Sequence, residues 1–394
     1  MNIDFLRIFN FLFIIMFSLL GTGSGIMCKD LRNTFTVTTT TQKDKIIQTG
    51  MKTDNSQEPG FENGVSGAFI GRVNGNIFTA GGCNFPENPM APESRKKFYK
   101  GIYKAEETSE NNWRLIRVGS LPCPIAYGSA VSLPEGLLLM GGANEARSFD
   151  NVYLLSLDES GNVNISDYPS LPVKIDNASA TVLNEKVYIA GGNINGEPSN
   201  RFFVLDIKDY KKGWTELPAF PGNPRIQSVM ASGKNKNENE YIYLWGGFAG
   251  KGENRDASLN TDGLRYDIKN ARWEGIEGPK DSDGDEVSLG GGCCAKINSG
   301  KIVITGGVNK DIFLAALKNQ APDYLSHPIE WYNFNPNIFI FNLHNEEWDV
   351  LSVTKKAARA GAGMATTENG EIIILGGELK PRIRTPEVFK IKID

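Results

Sequence analysis

Histidine is nearly missing from this chain, which has two, His327 and His344, among 394 residues. A metal centre that needs a set of imidazole ligands has almost nothing to be built from, so no metal is expected. Cysteine is scarce as well. Cys28, Cys83, Cys123, Cys293 and Cys294 form no dense disulfide framework, and the neighbours Cys293 and Cys294 are poorly placed to bond to each other. The last four read as small buried residues. An excess of basic charge is lacking too: 42 Lys and Arg stand against 46 Asp and Glu, with no basic stripe, which argues against nucleic acid as a partner. Helical periodicity is confined to KDIFLAALKNQAPDY, from Lys310 to Tyr324.

Long apolar runs are also absent. The apolar-rich stretch from Ile8 to Leu20, preceded by Arg7 and followed by GTGSG to Gly25, is short for a membrane span and suits a secretory leader. Residues 1–27 are therefore expected to be a signal peptide. The mature protein would be exported, either periplasmic or an outer-membrane lipoprotein facing the periplasm with Cys28 as the acylated residue. The residues before Cys28, Gly25, Ile26 and Met27, do not match the small residue usually required immediately ahead of a lipid-bearing cysteine.

What the chain does have is a repeat. An apolar run meets a glycine pair six times: IFTAGG at Gly82, LLLMGG at Gly142, VYIAGG at Gly192, YLWGG at Gly247, IVITGG at Gly307 and IIILGG at Gly377. A period of this size marks a radial array rather than one continuous core. Downstream lie second apolar runs centred on Tyr103, Tyr153, Phe203, Tyr266, Phe341 and Phe389, followed in four units by Trp113, Trp214, Trp273 or Trp348. Upstream lie alternating segments such as GAFIGRV at Gly67, ASATVL at Ala178 and GAGMATT at Gly361. Each unit reads as four short antiparallel strands with an aromatic pair packing one unit on the next. The pattern resembles the kelch repeat, and six copies predict an all-β, six-bladed kelch-type β-propeller over residues 64–394. Kelch copper oxidases need a set of histidine and tyrosine ligands, and two histidines fall short of it.

The sixth unit, ending in TPEVFKIKID at Asp394, shows three strands, and an uncovered strand edge invites aggregation. Within the N-terminal segment, residues 28–63, the stretch from Asn33 to Thr49 (NTFTVTTTTQKDKIIQT) is rich in β-branched residues and is expected to supply the closing strand. The acidic loop from Asp281 to Glu286 begins like a calcium loop, but it lacks Gly after the third acid and has Gly292 at position twelve. A solvated turn is the expectation.

Chemistry concentrates after the last glycine pair, in Glu378, Leu379, Lys380, Pro381, Arg382, Ile383, Arg384 and Thr385. A carboxylate and several cations leave an inner strand where propeller loops converge on the central channel, an arrangement suited to an anionic sugar. GELKPRIRT resembles the GE-x-KPG-x-RT segment of the bacterial sialic acid mutarotases, or N-acetylneuraminate epimerases, which are exported six-bladed kelch propellers. Similar stretches are GGCNFPENP from Gly81, KKFYKGIY from Lys96, GWTELPAFPGNPRIQ from Gly213 and ITGGVNKDIF from Ile304. The similarity spans residues 64–394. In those enzymes the glutamate segment lies mid-chain, so this chain resembles a cyclically permuted branch with the blades in the same circular order.

The resemblance implies Glu378 as catalytic acid and base and Arg384 as the essential arginine, with Lys380 and Thr385 also matching. Arg382 departs from the family glycine. Arg225, Gln227 and Asn84 are further candidates for binding substrate, and each reads equally well as a turn or blade-packing residue. The implied reaction is exchange of the α and β anomers of sialic acid, a 2-keto sugar acid, without metal or organic cofactor. A non-catalytic propeller binding a glycan or a protein, and a mutarotase for another acidic sugar, are the alternatives.

Overall fold

The computed structural model describes residues 45–53, 58–109, 112–297 and 300–393. The expected leader, Cys28 and residues 33–44 lie outside them. Among the described residues, no helix is long and apolar enough to cross a membrane.

Six four-stranded antiparallel sheets stand around a common axis. The innermost strands are Phe69–Val73, Ser129–Leu133, Ile175–Leu183, Val229–Lys234, Cys293–Ile297 and Gly363–Thr366, and each touches the next in a closed circle. Blade 5, for example, runs outward through Lys301–Thr305, Asn337–Asn342 and Glu347–Val353. Its second strand shows why the apolar runs are continuous. Successive side chains of a strand point to opposite faces, and here both faces are covered: Ile302 and Ile304 pack toward blade 4, while Val303 packs toward blade 6. Each of the six blade interfaces holds one such apolar cluster, so burial is divided among neighbours instead of gathered in a centre. The outer tryptophans add a directed contact. Trp214, Trp273 and Trp348 donate their indole N–H to the carbonyls of Pro169, Pro218 and Glu277 in the preceding blade, at 2.9, 2.9 and 3.3 Å.

The glycine pairs form the inner seam. Gly376 and Gly377 have φ of +62° and +96°, and a Cβ on Gly376 would stand 2.3 Å from the Val65 carbonyl oxygen of blade 1. Gly377 N–H donates to that same carbonyl at 2.9 Å. Five of the six pairs repeat this bond across to the next blade. Gly376→Ala should therefore lower stability by about 1–3 kcal/mol from the backbone conformation alone, with the steric overlap adding to it. An unchanged urea midpoint would contradict this.

Ring closure comes from strand β1, Lys45–Thr53. Lys45 to Thr49 pair antiparallel with Lys392 to Val388 and complete blade 6; Gly50 to Thr53 then pair in parallel with Asn112 to Leu115 of blade 1. The N-terminal segment supplies the closing strand as expected: its pairing with blade 6 falls on Lys45 to Thr49, inside the stretch named from the sequence, and the strand runs on to Thr53 to reach the edge of blade 1. The expected helix is present as Lys310–Lys318, capped by Asn309, whose side chain accepts from the N–H of Asp311 and Ile312. It opens the long insertion of blade 5, which packs around its own aromatic cluster of Tyr324, Tyr332 and Phe334.

Candidate active site

The axis is lined by small side chains from all six inner strands, among them Ala68, Ser129, Ala178, Ser228, Cys294 and Ala362, around a cavity of about 200 Å³. Burial pushes the thiols of Cys293 and Cys294 up to about 12, so these channel cysteines are inert toward nucleophilic chemistry. Where the chain enters each inner strand, one residue hands its N–H to the carbonyl of its counterpart in the adjacent blade. Gly67 donates to Gly361, Gly361 to Gly291, Gly291 to Gln227, Gln227 to Asn177, Asn177 to Tyr127 and Tyr127 to Gly67, at 2.7 to 2.9 Å. This closed hoop is the channel mouth. Its six members all have left-handed φ, from +51° to +78°. Asn tolerates that region, but Tyr127 and Gln227 do not adopt it readily, and such strain concentrates at functional sites.

Glu378 and Arg384 sit on this hoop. Glu378 exchanges backbone hydrogen bonds with Ala360, next to Gly361, at 2.7 and 2.9 Å, and pairs directly with Arg384 in a short ribbon. Their side chains form an ion pair. Arg384 Nε donates to Ser66 Oγ, next to Gly67, at 2.9 Å. The guanidinium is only 4% exposed and the carboxylate 23%, so the pair lies against the mouth with the carboxylate reachable. Burial raises the Glu378 carboxyl above its ordinary value, and the charges of Arg384 and Lys96 oppose that rise. Tyr324 and Tyr332 of the blade 5 insertion feel the Glu378 charge and wall that side.

The ribbon is turned by Pro381 and Arg382, with Arg382 at φ +72°. A type II turn takes Pro at its second position and a left-handed residue at its third, which explains the glycine usual there. Arg382 accepts the strain and compensates by reach: Nη1 donates to the carbonyls of Pro89 and Ala91 at 3.3 and 3.0 Å, tying the ribbon to the blade 1 loop.

The remaining expected residues separate by location. Gln227 is a hoop member, its Nε2 donating to Asn177 Oδ1 at 2.7 Å. Arg225 is sealed between blades 3 and 4, donating to Gly246 O and to both Asp262 oxygens. Asn84 is 1% exposed and has its amide occupied by Gly60 O, Gly64 O and the Tyr99 hydroxyl. Lys380 Nζ donates to Leu325 O and His327 O at 3.2 and 2.6 Å, pinning the insertion. Thr385 is buried and caps the backbone N–H of Glu387. These four hold loops in place, and none joins the pair at the mouth.

Sequence reasoning passed over Tyr127, Lys96, Asn177 and Asp176. Tyr127 Oη accepts from Lys96 Nζ and Cys83 Sγ, each at 3.1 Å. Asp176 is 3% exposed and accepts from Asn177, Asn193 and Ser148, bracing the far side of the hoop. Superimposing the six repeats at the residue before each inner strand would have exposed Tyr127, Asn177 and Gln227 as side chains where three copies carry glycine. Among the described residues, no group of His, Cys, Asp and Glu is placed to hold a metal. The acidic loop is a turn in which Asp281 Oδ1 accepts from the N–H of Asp283 and Asp285.

The family model for N-acetylneuraminate epimerase matches residues 168–394, which takes in blades 3 to 6. A Kelch domain-containing protein of Vibrio cholerae is 28% identical over 234 residues, 56% of this chain and 62% of its own. The N-acetylneuraminate epimerase of Salmonella typhi is 27% identical over 237 residues, 57% of this chain and 58% of its own; that of Salmonella arizonae is 28% identical over 235, or 56% and 57%. The chain thus spans about three-fifths of the length of the curated relatives it matches.

Proposed function

The chain belongs to the N-acetylneuraminate epimerase family, and from that membership we propose that it is a mutarotase exchanging the α and β anomers of sialic acid or a related 2-keto sugar acid. Export through residues 1–27 is part of the same proposal. The observation that carries the reading is the half-buried Glu378 carboxylate paired with a buried Arg384 at the hoop. A buried guanidinium presents parallel N–H groups that fit a sugar carboxylate in a way an ammonium does not. In such an acid the carboxylate is attached to the anomeric carbon, so gripping it sets the reacting centre beside Glu378.

Anomer exchange requires ring opening and reclosure. Glu378 takes the proton of the anomeric hydroxyl, the oxygen's electron pair closes the carbonyl, and the bond to the ring oxygen breaks as that oxygen takes a proton from a second acid. After rotation brings the other carbonyl face forward, the ring hydroxyl attacks and gives that proton back, while Glu378 returns its own to the new anomeric oxygen. A substrate carboxylate on Arg384 shares the cation that holds the Glu378 pKa down, which moves Glu378 further toward the protonated form needed at reclosure.

The pH dependence follows in sign. Ring opening uses the ionised carboxylate, whose population grows with pH, and burial has raised its pKa above 4.5. The acidic limb of kcat/KM is therefore expected above the ordinary glutamate range, with rate lost as pH falls through it. Glu378→Gln should lack that limb. The test of the function itself is NMR of freshly released α-sialic acid with and without protein. A rate equal to buffer for every keto-sugar acid tried would leave a binding propeller in place of an enzyme.

A further inference from the structure

Ring opening needs a second proton, delivered to the ring oxygen as its bond breaks, and Glu378 is at that moment accepting one. We infer that Tyr127 is the acid that supplies it, an assignment resting on the mutarotase reading. Tyr127 comes from blade 2, yet its ring lies back over blade 1, close enough to Gly67 that a Cβ there would stand 2.7 Å from Tyr127 Cδ1. Tyr127 N–H donates to the Gly67 carbonyl, and Arg384 Nε donates to Oγ of the adjacent Ser66, so the hydroxyl-bearing residue and the partner of Glu378 meet at one corner of the mouth. A substrate carboxylate held by Arg384 there presents its anomeric carbon to both.

The neighbours of the hydroxyl define its role. Lys96 Nζ is a donor only and approaches the phenolic oxygen at 3.1 Å, as does Cys83 Sγ. With two donors on its lone pairs, the hydroxyl keeps its own proton for an oxygen at the mouth. In the step, the Tyr127 O–H bond breaks as the ring oxygen, leaving with the electron pair of its bond to the anomeric carbon, takes the proton. Burial raises the Tyr127 hydroxyl above its ordinary value, and the charges of Lys96 and Arg384 oppose that rise as the phenolate forms. On reclosure the ring hydroxyl returns the proton to Tyr127 while Glu378 protonates the carbonyl oxygen, and both residues end as they began.

Tyr127→Phe keeps the ring over Gly67 and removes only the hydroxyl. The expected result is a kcat about a hundredfold lower, with KM changed less than about threefold because the carboxylate grip is intact. Rate against deuterium content of the solvent should curve for the wild type, where two protons move together, and become linear in Tyr127→Phe. A loss of less than about tenfold, or a plot that stays curved, overturns the assignment. Lys96→Met is the companion should Tyr127→Phe fail to fold: kcat is expected to fall about tenfold with the curved plot retained, and an unchanged kcat overturns the assignment. Wild-type catalysis with an unaffected Tyr127→Phe sinks this inference alone; a wild type no faster than buffer sinks the mutarotase reading together with it.

Discussion

Glu378→Gln is expected to bring the proposed anomer exchange down toward the rate of buffer while the propeller stays folded. Glutamine matches the size of the glutamate and keeps a hydrogen-bonding oxygen for Arg384, and the backbone bonds to Ala360 are untouched. What it removes is the proton-accepting oxygen, and a positioned acid or base is worth roughly 10² to 10⁴ in rate. Because the spontaneous reaction already proceeds in water, losing that factor is expected to bring the rate close to the uncatalysed one. Arg384 remains buried with a neutral partner, which costs stability, so thermal unfolding should be recorded beside activity. NMR of freshly released α-sialic acid gives the rate. A variant as fast as the wild type would remove Glu378 from the mechanism.

Arg384→Lys acts on binding. The guanidinium serves Glu378 and Ser66 at once, which a planar fork can do and a single ammonium on a flexible stem cannot. Losing one charge-assisted hydrogen bond to the sugar carboxylate, about 1.5–3 kcal/mol, should raise KM by roughly 10- to 150-fold. A fall in kcat is expected with it, since a looser carboxylate lets the anomeric carbon drift from Glu378. Saturation curves that superimpose on those of the wild type would rule out Arg384 as the carboxylate's partner.

Much of the architecture was legible in the residue order. The glycine pairs, the aromatic runs and the spaced tryptophans each recur because every blade meets the same neighbour in the same way, so one local solution is written six times. The helix at Lys310 was legible from its period. The closing strand was legible as part of the stretch from Asn33 to Thr49, while the residues it pairs with are fixed by two blade edges distant in sequence. The GELKPRIRT segment was legible through its resemblance to the family's motif, and the structure pairs its Glu378 with Arg384 in one short ribbon.

The sorting of the other charged and amide side chains was not legible. Arg225 and Gln227 stand two residues apart, yet one is locked between blades and the other stands on the hoop. Lys380 lies beside the catalytic candidates in sequence and points to the carbonyls of an insertion more than fifty residues away. Tyr127 reaches the site from blade 2 and Lys96 from blade 1, and the two meet only because Gly67 leaves space for a ring. The chain's own sequence determined what recurs: six blades, their strands, their seams and the ribbon that carries Glu378 and Arg384, all set by contacts between near neighbours and by repetition. Tertiary structure alone decided which polar groups share the channel mouth, because a closed ring brings together side chains whose separation along the chain carries no trace of their separation in space.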